Sequence, residues 1–294
     1  MRAFVLAAGK GTRLLPYTAS LPKPLFPILG EPLLKLILDR LYEEGFRVFG
    51  LNLHHLPEKI TAFLDHWRAE KRDAEMELFP EPEILGPTGA LRGARSFFTE
   101  PTLVVNADIL TNIPYRLPLE AHRRLGGLAT MMLLAGQPAA NVLVEGEEVR
   151  GFAPAEGAYT FSGLQVVTPE LVEMLEEEDR DLVPTYERFI KKGFKISAQV
   201  LTGFYWRDIG TVESYLAAHG DLLRGRAVIP QLKAKGPFVY PGDLPRGVVL
   251  EDWAYLAPGV EIESPARLRR VVAWPGARVP SGLHEDRLFT PEVA

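Results

Sequence analysis

Two glycines, an arginine and a lysine stand close together in residues 6–24, LAAGKGTRLLPYTASLPKP. Gly9 and Gly11 follow an apolar stretch, and backbone N–H groups approach phosphate closely where no Cβ intervenes. A Walker A loop would need G-x-x-x-x-G-K-[ST], which these residues do not supply. A dinucleotide fingerprint would need a third glycine where Leu14 stands. The remaining ligand-binding reading is a cradle for a triphosphate with its own cations. Arg13 offers a bidentate fork to phosphate oxygens. Lys23 lies between Pro22 and Pro24, whose restricted backbone aims the ammonium inward. A surface turn with two solvated cations is the bland alternative, and two cations on one glycine loop argue against it.

The elements that must carry this loop alternate in the first half of the chain. Residues 2–7 read as a strand. A helix spans 32–44, with Leu33, Leu34, Ile37, Leu38 and Leu41 on one face. Strands follow at 48–53, 76–79 and 102–105, with helices at 58–69 and 90–98 between them. This order predicts an α/β fold: a Rossmann-like, doubly wound, mostly parallel sheet. Ligands of such sheets bind outside the carboxyl ends of the strands, where the opening loop and Asn106-Ala107-Asp108 both fall. Further β-like runs cover 128–134, 142–144, 160–167, 195–201 and 204–206. Helices are expected at 169–177, 183–192 and 212–223.

After Arg224 helical periodicity stops. Leu250, Leu256, Ile262 and Leu268 recur at intervals of six, as do Ala254, Val260, Ala266 and Val272. That period predicts a small parallel β-helix, with a few antiparallel strands as the alternative. The expected division is a domain over 1–228 and a β-helix-like domain over 229–294.

The totals exclude several classes. The 294 residues are 47% hydrophobic and 24% charged, an ordinary globular balance, and the net charge of -5 argues against non-specific nucleic-acid binding. Without cysteine there is no disulfide, thiolate catalysis or Cys-based metal site. No run is long enough to span a membrane and the N-terminus is no signal peptide, so a cytoplasmic protein is expected.

From Leu6 to Ile28 the chain resembles L-A-A-G-x-G-T-R-L-x-P-x-T-x-x-x-P-K-P-x-x-P-I, the signature of the sugar-1-phosphate nucleotidyltransferases, also called nucleotide-sugar pyrophosphorylases. Leu85-Gly86-Pro87-Thr88-Gly89 is similar to that family's LGTAG loop, and Val105-Asn106-Ala107-Asp108 to its V-N-G-D. Phe161-Ser162-Gly163 resembles T-F-[ST]-G, and residues 206–211 resemble W-x-D-I-G-T. The C-terminal hexads resemble the left-handed β-helix appended to many members.

The resemblance implies a reaction: NTP and a sugar 1-phosphate give an NDP-sugar and pyrophosphate. It implies catalytic roles for Arg13 at the departing pyrophosphate and Lys23 at the attacking phosphate. Leu6, Ala8, Gly9, Gly11, Thr12, Gly86 and Gly89 would bind the nucleotide. Asp108 and Asp208 would hold Mg²⁺, a hard cation suited to carboxylate and phosphate oxygens; for either aspartate a turn or helix-cap role is the alternative. Asn141, Ser162 and Gly163 are the sugar-contact candidates, because the Glu-Lys-Pro segment of many relatives is missing from residues 151–156. Ile84 stands where uridylyl- and thymidylyltransferases often carry a base-reading glutamine, so the base is left open.

His54-His55 reads as a loop before a helix. The acidic run 176–179 reads as a solvated helix end. Arg267, Arg269 and Arg270 read as a β-helix face or as a contact between copies in a homo-oligomer. A non-catalytic regulatory subunit of the same fold is the competing function; the presence of Arg13, Lys23, Asp108 and Asp208 favours catalysis. A cytidylyltransferase acting on a non-sugar phosphate shares the opening loop but not W-x-D-I-G-T or the hexads.

Overall fold

A computed structural model describes residues 1–137, 140–234 and 236–291. The chain forms two compact units. One comprises Met1–Gly9, Leu38–Ala107 and Ile113–Phe204; the other comprises Lys10–Ile37, Asp108–Asn112 and Tyr205–Ala294.

The first unit is built on a nine-stranded sheet. Its first four strands in spatial order are Glu75–Pro80, Val48–Leu53, Arg2–Leu6 and Thr102–Asn106, all mutually parallel. Strand and helix alternate along this part of the chain, and a helical crossover returns each strand in the same direction. Ala3, Phe4 and Val5 are fully buried. The Phe4 ring lies 5.3 Å from Phe98 and 5.7 Å from Phe97 between ring centres. Burial of such a ring stabilises the unit by about 2–3 kcal/mol.

Beyond Thr102–Asn106 the sheet is mixed, which corrects the mostly parallel expectation. Thr160–Val167 runs antiparallel to both of its neighbours, Thr102–Asn106 and Ala129–Leu134. Ile196–Leu201 returns parallel to Ala129–Leu134, and the hairpin Val142–Glu145 with Glu148–Phe152 closes the edge. Among the described residues between 134 and 160 no helix supplies a crossover, and the tight turn between Val142–Glu145 and Glu148–Phe152 reverses the chain, so Thr160–Val167 comes back opposed to Ala129–Leu134. In this unit the strand Glu148–Phe152 and the helix Leu117–Leu125 are additional to the expected elements. Several agree with expectation: Thr160–Val167 and Val212–Leu223 have the expected limits, and Leu33, Leu34, Leu38 and Leu41 of the first helix are fully buried.

The acidic run is not simply solvated. Asp179 is 7% exposed; it pairs with Arg188, and its Oδ1 accepts the Thr185 hydroxyl at 3.2 Å. A carboxylate this deep is tolerable because a cation and several donors surround it.

The second unit joins a short ladder, the helix Val212–Leu223 and the C-terminal strands. Val248–Leu256, Ala266–Ala273 and Gly282–Phe289 lie parallel, with Phe238–Val239 at the edge. Glu261–Ile262 and Arg278–Val279 form a second parallel pair. Leu250 faces Leu268, as the six-residue period requires. Ala254 faces Val271 rather than Val272, because a bulge between Glu251 and Ala254 shifts the register. Asp252, Arg270 and Asp286 hold left-handed backbone at corresponding points of the three strands. Arg270 donates to Asp286 at 2.6 Å and lies 3.6 Å from Asp252, so this arginine serves a ladder within its own sheet. The tail is thus built on parallel strands. Among the described residues no helix is long and apolar enough to cross a membrane.

Candidate functional site

In the first unit the strand order reverses between Arg2–Leu6 and Thr102–Asn106, and Leu6 stands directly beside Asn106 in the register. Both strands end there, at the switch point where such sheets bind ligands. The loop leaving Leu6 turns at once: Ala7 N–H donates to Asn52 Oδ1 at 2.8 Å. Ala8 is buried, and at Gly9 no atom lies within 4 Å of where a Cβ would stand.

The LGPTG loop opens a helix earlier than expected, at Gly86, giving Gly86–Gly93. Gly86 has φ +77°, and a Cβ there would lie 2.4 Å from Arg180 O. Gly89 is buried, with its missing Cβ 3.0 Å from Leu85 Cβ and 3.6 Å from Asp179 O. The two glycines therefore let this helix start press against residues 179–180.

Of the sugar-contact candidates, Asn141 precedes the strand Val142–Glu145, while Ser162 and Gly163 lie on Thr160–Val167; an isolated bridge pairs Val142 with Tyr159. Asn141 is half-buried, and its N–H donates to Tyr159 O at 3.0 Å. Ser162 is fully buried, and its hydroxyl accepts the Leu164 N–H at 3.3 Å. Gly163, with φ +78°, sits where the register breaks between Phe161 and Gln165. Asn52 and Glu81 are polar and buried here too. The signal for Asn52 was present, a lone amide in the apolar run VFGLNL; Glu81 carried none.

In the second unit the two aspartates meet through a two-stranded ladder. Trp206–Asp208 runs antiparallel to Ile109–Thr111, with Asp208 opposite Ile109. Ile209 N–H donates to Asp108 O at 3.0 Å. This ladder is the reason residues 100 positions apart share one place.

Lys23 enters from a turn, Lys23–Leu25, preceded by extended Pro22. Its Nζ donates to Asp108 Oδ2 at 2.6 Å and lies 3.8 Å from Asp208 Oδ1. The Lys23 side chain is 9% exposed, those of Asp108 and Asp208 33% and 40%. Arg13 lies in the turn Thr12–Leu14, which starts from left-handed Gly11. Its guanidinium is 3.9 Å from Asp208 Oδ2 and 66% exposed, free to swing to a phosphate. Thr12 is exposed beside it. Gly210 N–H donates to Asp208 Oδ1. A Cβ on Gly210 would fall 2.5 Å from Arg13 Nη2 and 2.6 Å from Asp208 Oδ1. Thr211 then caps the next helix, its hydroxyl accepting the Ser214 N–H at 3.1 Å. The helix cap belongs to Thr211, while the Asp208 carboxylate serves both the cluster and the turn to Gly210.

Buried groups hold the segment after Lys23. Tyr215 donates its hydroxyl to Pro27 O and accepts Trp274 Nε1–H at 2.9 Å. Phe26 packs edge-on against Trp274 at 4.9 Å. His219 is fully buried; Nδ1–H donates to Tyr215 O at 3.1 Å, so Nε2 is free to accept the Leu29 N–H at 3.2 Å. Burial pushes the His219 pKa down to about 4.

Asp108 and Asp208 present hard oxygen donors, and no group of three or more metal-binding side chains occurs among the described residues. Two carboxylates suit a Mg²⁺ that draws its other ligands from phosphates and water.

A family model described as Nucleotidyl transferase matches residues 2–142. The N-acetylmuramate alpha-1-phosphate uridylyltransferase of Neisseria meningitidis serogroup B is 30% identical over 221 residues, covering 72% of this chain and 94% of that protein. The chain belongs to the nucleotidyl transferase family. Another relative, mannose-1-phosphate guanylyltransferase 1 of Arabidopsis thaliana, is 27% identical over 302 residues, covering 95% of this chain and 82% of that protein. The fold of this nucleotidyl transferase is similar to that of UDP-glucose pyrophosphorylase from Acinetobacter baumanii. The TM-score is 0.64 at 18% identity, covering 78% of this chain and 95% of the other. The relatives named here differ in base and in sugar.

Proposed function

We propose that this nucleotidyl transferase joins the nucleotidyl group of an NTP to a sugar 1-phosphate, releasing pyrophosphate. The observation that carries the reading is the ionic cluster of Arg13, Lys23, Asp108 and Asp208 in a member of this family. A phosphate oxygen of the sugar phosphate attacks the α-phosphorus. The bond to the bridging oxygen breaks in line, and its electron pair leaves with pyrophosphate. Both reactants are anions, so positioning and charge neutralisation are the protein's main contributions.

Asp108 and Asp208 would hold Mg²⁺, which supplies neutralising charge at the phosphate oxygens when bound. Their carboxylates neutralise Lys23 in the absence of substrate and release the ammonium to the attacking phosphate. Arg13, exposed and only loosely paired, takes the departing pyrophosphate. The loops at residues 6–12 and 85–89 hold the nucleotide, and Asn141, Ser162 and Gly163 line the sugar side. We extend the reading to the tail: its parallel strands and six-residue period support a small left-handed β-helix over 229–294, of which 235 and 292–294 lie outside the described residues, appended to a catalytic domain over 1–228.

The test is a pyrophosphate-release screen of the five common NTPs against a panel of sugar 1-phosphates with Mg²⁺. Release with one pair identifies base and sugar together. No release with any pair replaces catalysis by a regulatory, ligand-sensing role.

A further inference from the structure

Two buried polar side chains link the two glycine loops of the first unit, and no role assigned above uses them. Asn52 is 4% exposed and Glu81 6%. Ala7 N–H donates to Asn52 Oδ1 at 2.8 Å, and Asn52 Nδ2 donates to Glu81 Oε1 at 2.8 Å. Leu85 N–H donates to Glu81 Oε2 at 3.0 Å. Ala7 begins the opening loop, and Leu85 is the residue from which the Gly86–Gly93 helix starts. The chain of three bonds therefore runs from one loop to the other.

Glu81 is itself held at both backbone groups. Its N–H donates to Leu53 O at 2.7 Å, and its carbonyl accepts from His54 Nδ1 at 2.8 Å. Among the described residues it forms no ion pair. A buried carboxylate without a cation is costly unless donors surround it. What the charge provides is direction. A carboxylate only accepts, so both groups that meet Glu81 must donate. The Asn52 amide is thereby fixed, its nitrogen toward Glu81 and its oxygen toward Ala7. No flipped amide satisfies all three bonds.

We propose that Glu81, acting through Asn52, is a positioning residue that locks the opening loop and the LGPTG loop into one register for a single nucleotide. This rests on the reading above that both loops hold the nucleotide. His54, which the sequence left as a loop residue, fixes the Glu81 backbone.

The polarity of the relay supplies its test. In Glu81→Gln one acceptor becomes a donor, which then opposes either Asn52 Nδ2 or the Leu85 N–H. In Asn52→Asp two carboxylates face each other. In the double variant Asn52→Asp/Glu81→Gln the middle bond reverses and all three bonds return with one negative charge. Glu81→Gln raises the KM for NTP by about tenfold, the effect of one unpaired buried donor, and Asn52→Asp by at least as much through repulsion of two buried carboxylates, each with a smaller change in kcat. The double variant returns to within about threefold of wild type. Hydrogen exchange without nucleotide reads the same relay independently of turnover: amides of residues 7–9 and 85–89 exchange faster together in the single variants and recover in the double.

Single variants with unchanged nucleotide KM and unchanged exchange at residues 7–9 overturn the proposal. So does a double variant no better than Glu81→Gln, including one that fails to fold. If the wild-type protein turns over no substrate pair, the proposed function falls, while the exchange rates still decide whether the two loops are coupled.

Discussion

Lys23 Nζ donates to Asp108 Oδ2 at 2.6 Å from a side chain only 9% exposed. The ammonium thus occupies the carboxylate proposed for the metal, and Asp208 lies 3.8 Å away on its other side. The proposed Mg²⁺ and the Lys23 ammonium would compete for the same oxygens.

Removing the competitor separates the two roles of Lys23. Lys23→Met is expected to bind Mg²⁺ more tightly, by roughly tenfold for a partly buried ion pair, yet to lose turnover because the attacking phosphate has no cation. Calorimetric titration with Mg²⁺ beside a turnover assay checks this. Unchanged metal affinity removes the competition.

Asp108→Asn and Asp208→Asn are each expected to lower Mg²⁺-dependent turnover by about 10²–10³-fold. Both side chains are partly exposed, and asparagine keeps an oxygen for Lys23, so melting curves should stay close to wild type. Near-normal turnover in both variants would sink the metal assignment.

Gly210→Ala tests the crowding of the cluster. The new Cβ would fall 2.5 Å from Arg13 Nη2 and 2.6 Å from Asp208 Oδ1, so one of them must move. Arg13 is mostly exposed and moves at little cost in stability. The expected outcome is turnover reduced at least about tenfold with a nearly unchanged denaturation midpoint.

His219 makes stability depend on pH. Its folded pKa is depressed to about 4 from the usual 6.5. Below pH 6.5 the unfolded chain takes up a proton that the folded ring does not accept until pH falls to about 4. The contribution is therefore fully present above 6.5 and is lost as pH falls through that window, with a slope of up to about 1.4 kcal/mol per pH unit. Urea unfolding across this range should show a shallower dependence in His219→Gln. An equally steep dependence assigns the effect to other groups.

Trp274→Phe removes the N–H that donates to the Tyr215 hydroxyl at 2.9 Å. The expected loss is about 1–2 kcal/mol in chemical denaturation.

The sequence alone made the opening loop, its cations and the parallel half of the sheet legible, because glycine spacing and helical periodicity are local signals. Two features were not local. Whether Thr160–Val167 runs parallel or antiparallel depends on how the chain returns, and no residue in the strand records that. The β-like runs before Asp108 and Asp208 let the two converge, but the ladder that joins them was not legible, because its second side, Ile109–Thr111, is three residues long. Lys23 was expected to face a phosphate; without substrate it faces two carboxylates, since a buried ammonium takes the nearest counter-charge. Glu81 carried no signal, because a buried polar residue looks like a surface one until its surroundings are known, whereas Asn52 was marked by its place in the apolar run VFGLNL.

Each compact unit is assembled from three separate stretches, so the chain passes between them five times. Neither is a cassette that recombination could lift out with two cuts. The C-terminal strands supply Trp274 to Phe26, three residues from Lys23, and Leu288 O to the Tyr17 hydroxyl at 3.2 Å. A tail exchanged with that of another family member would bring a foreign side chain against the seat of the lysine. Changes in the tail and in the cluster are therefore physically coupled through these contacts.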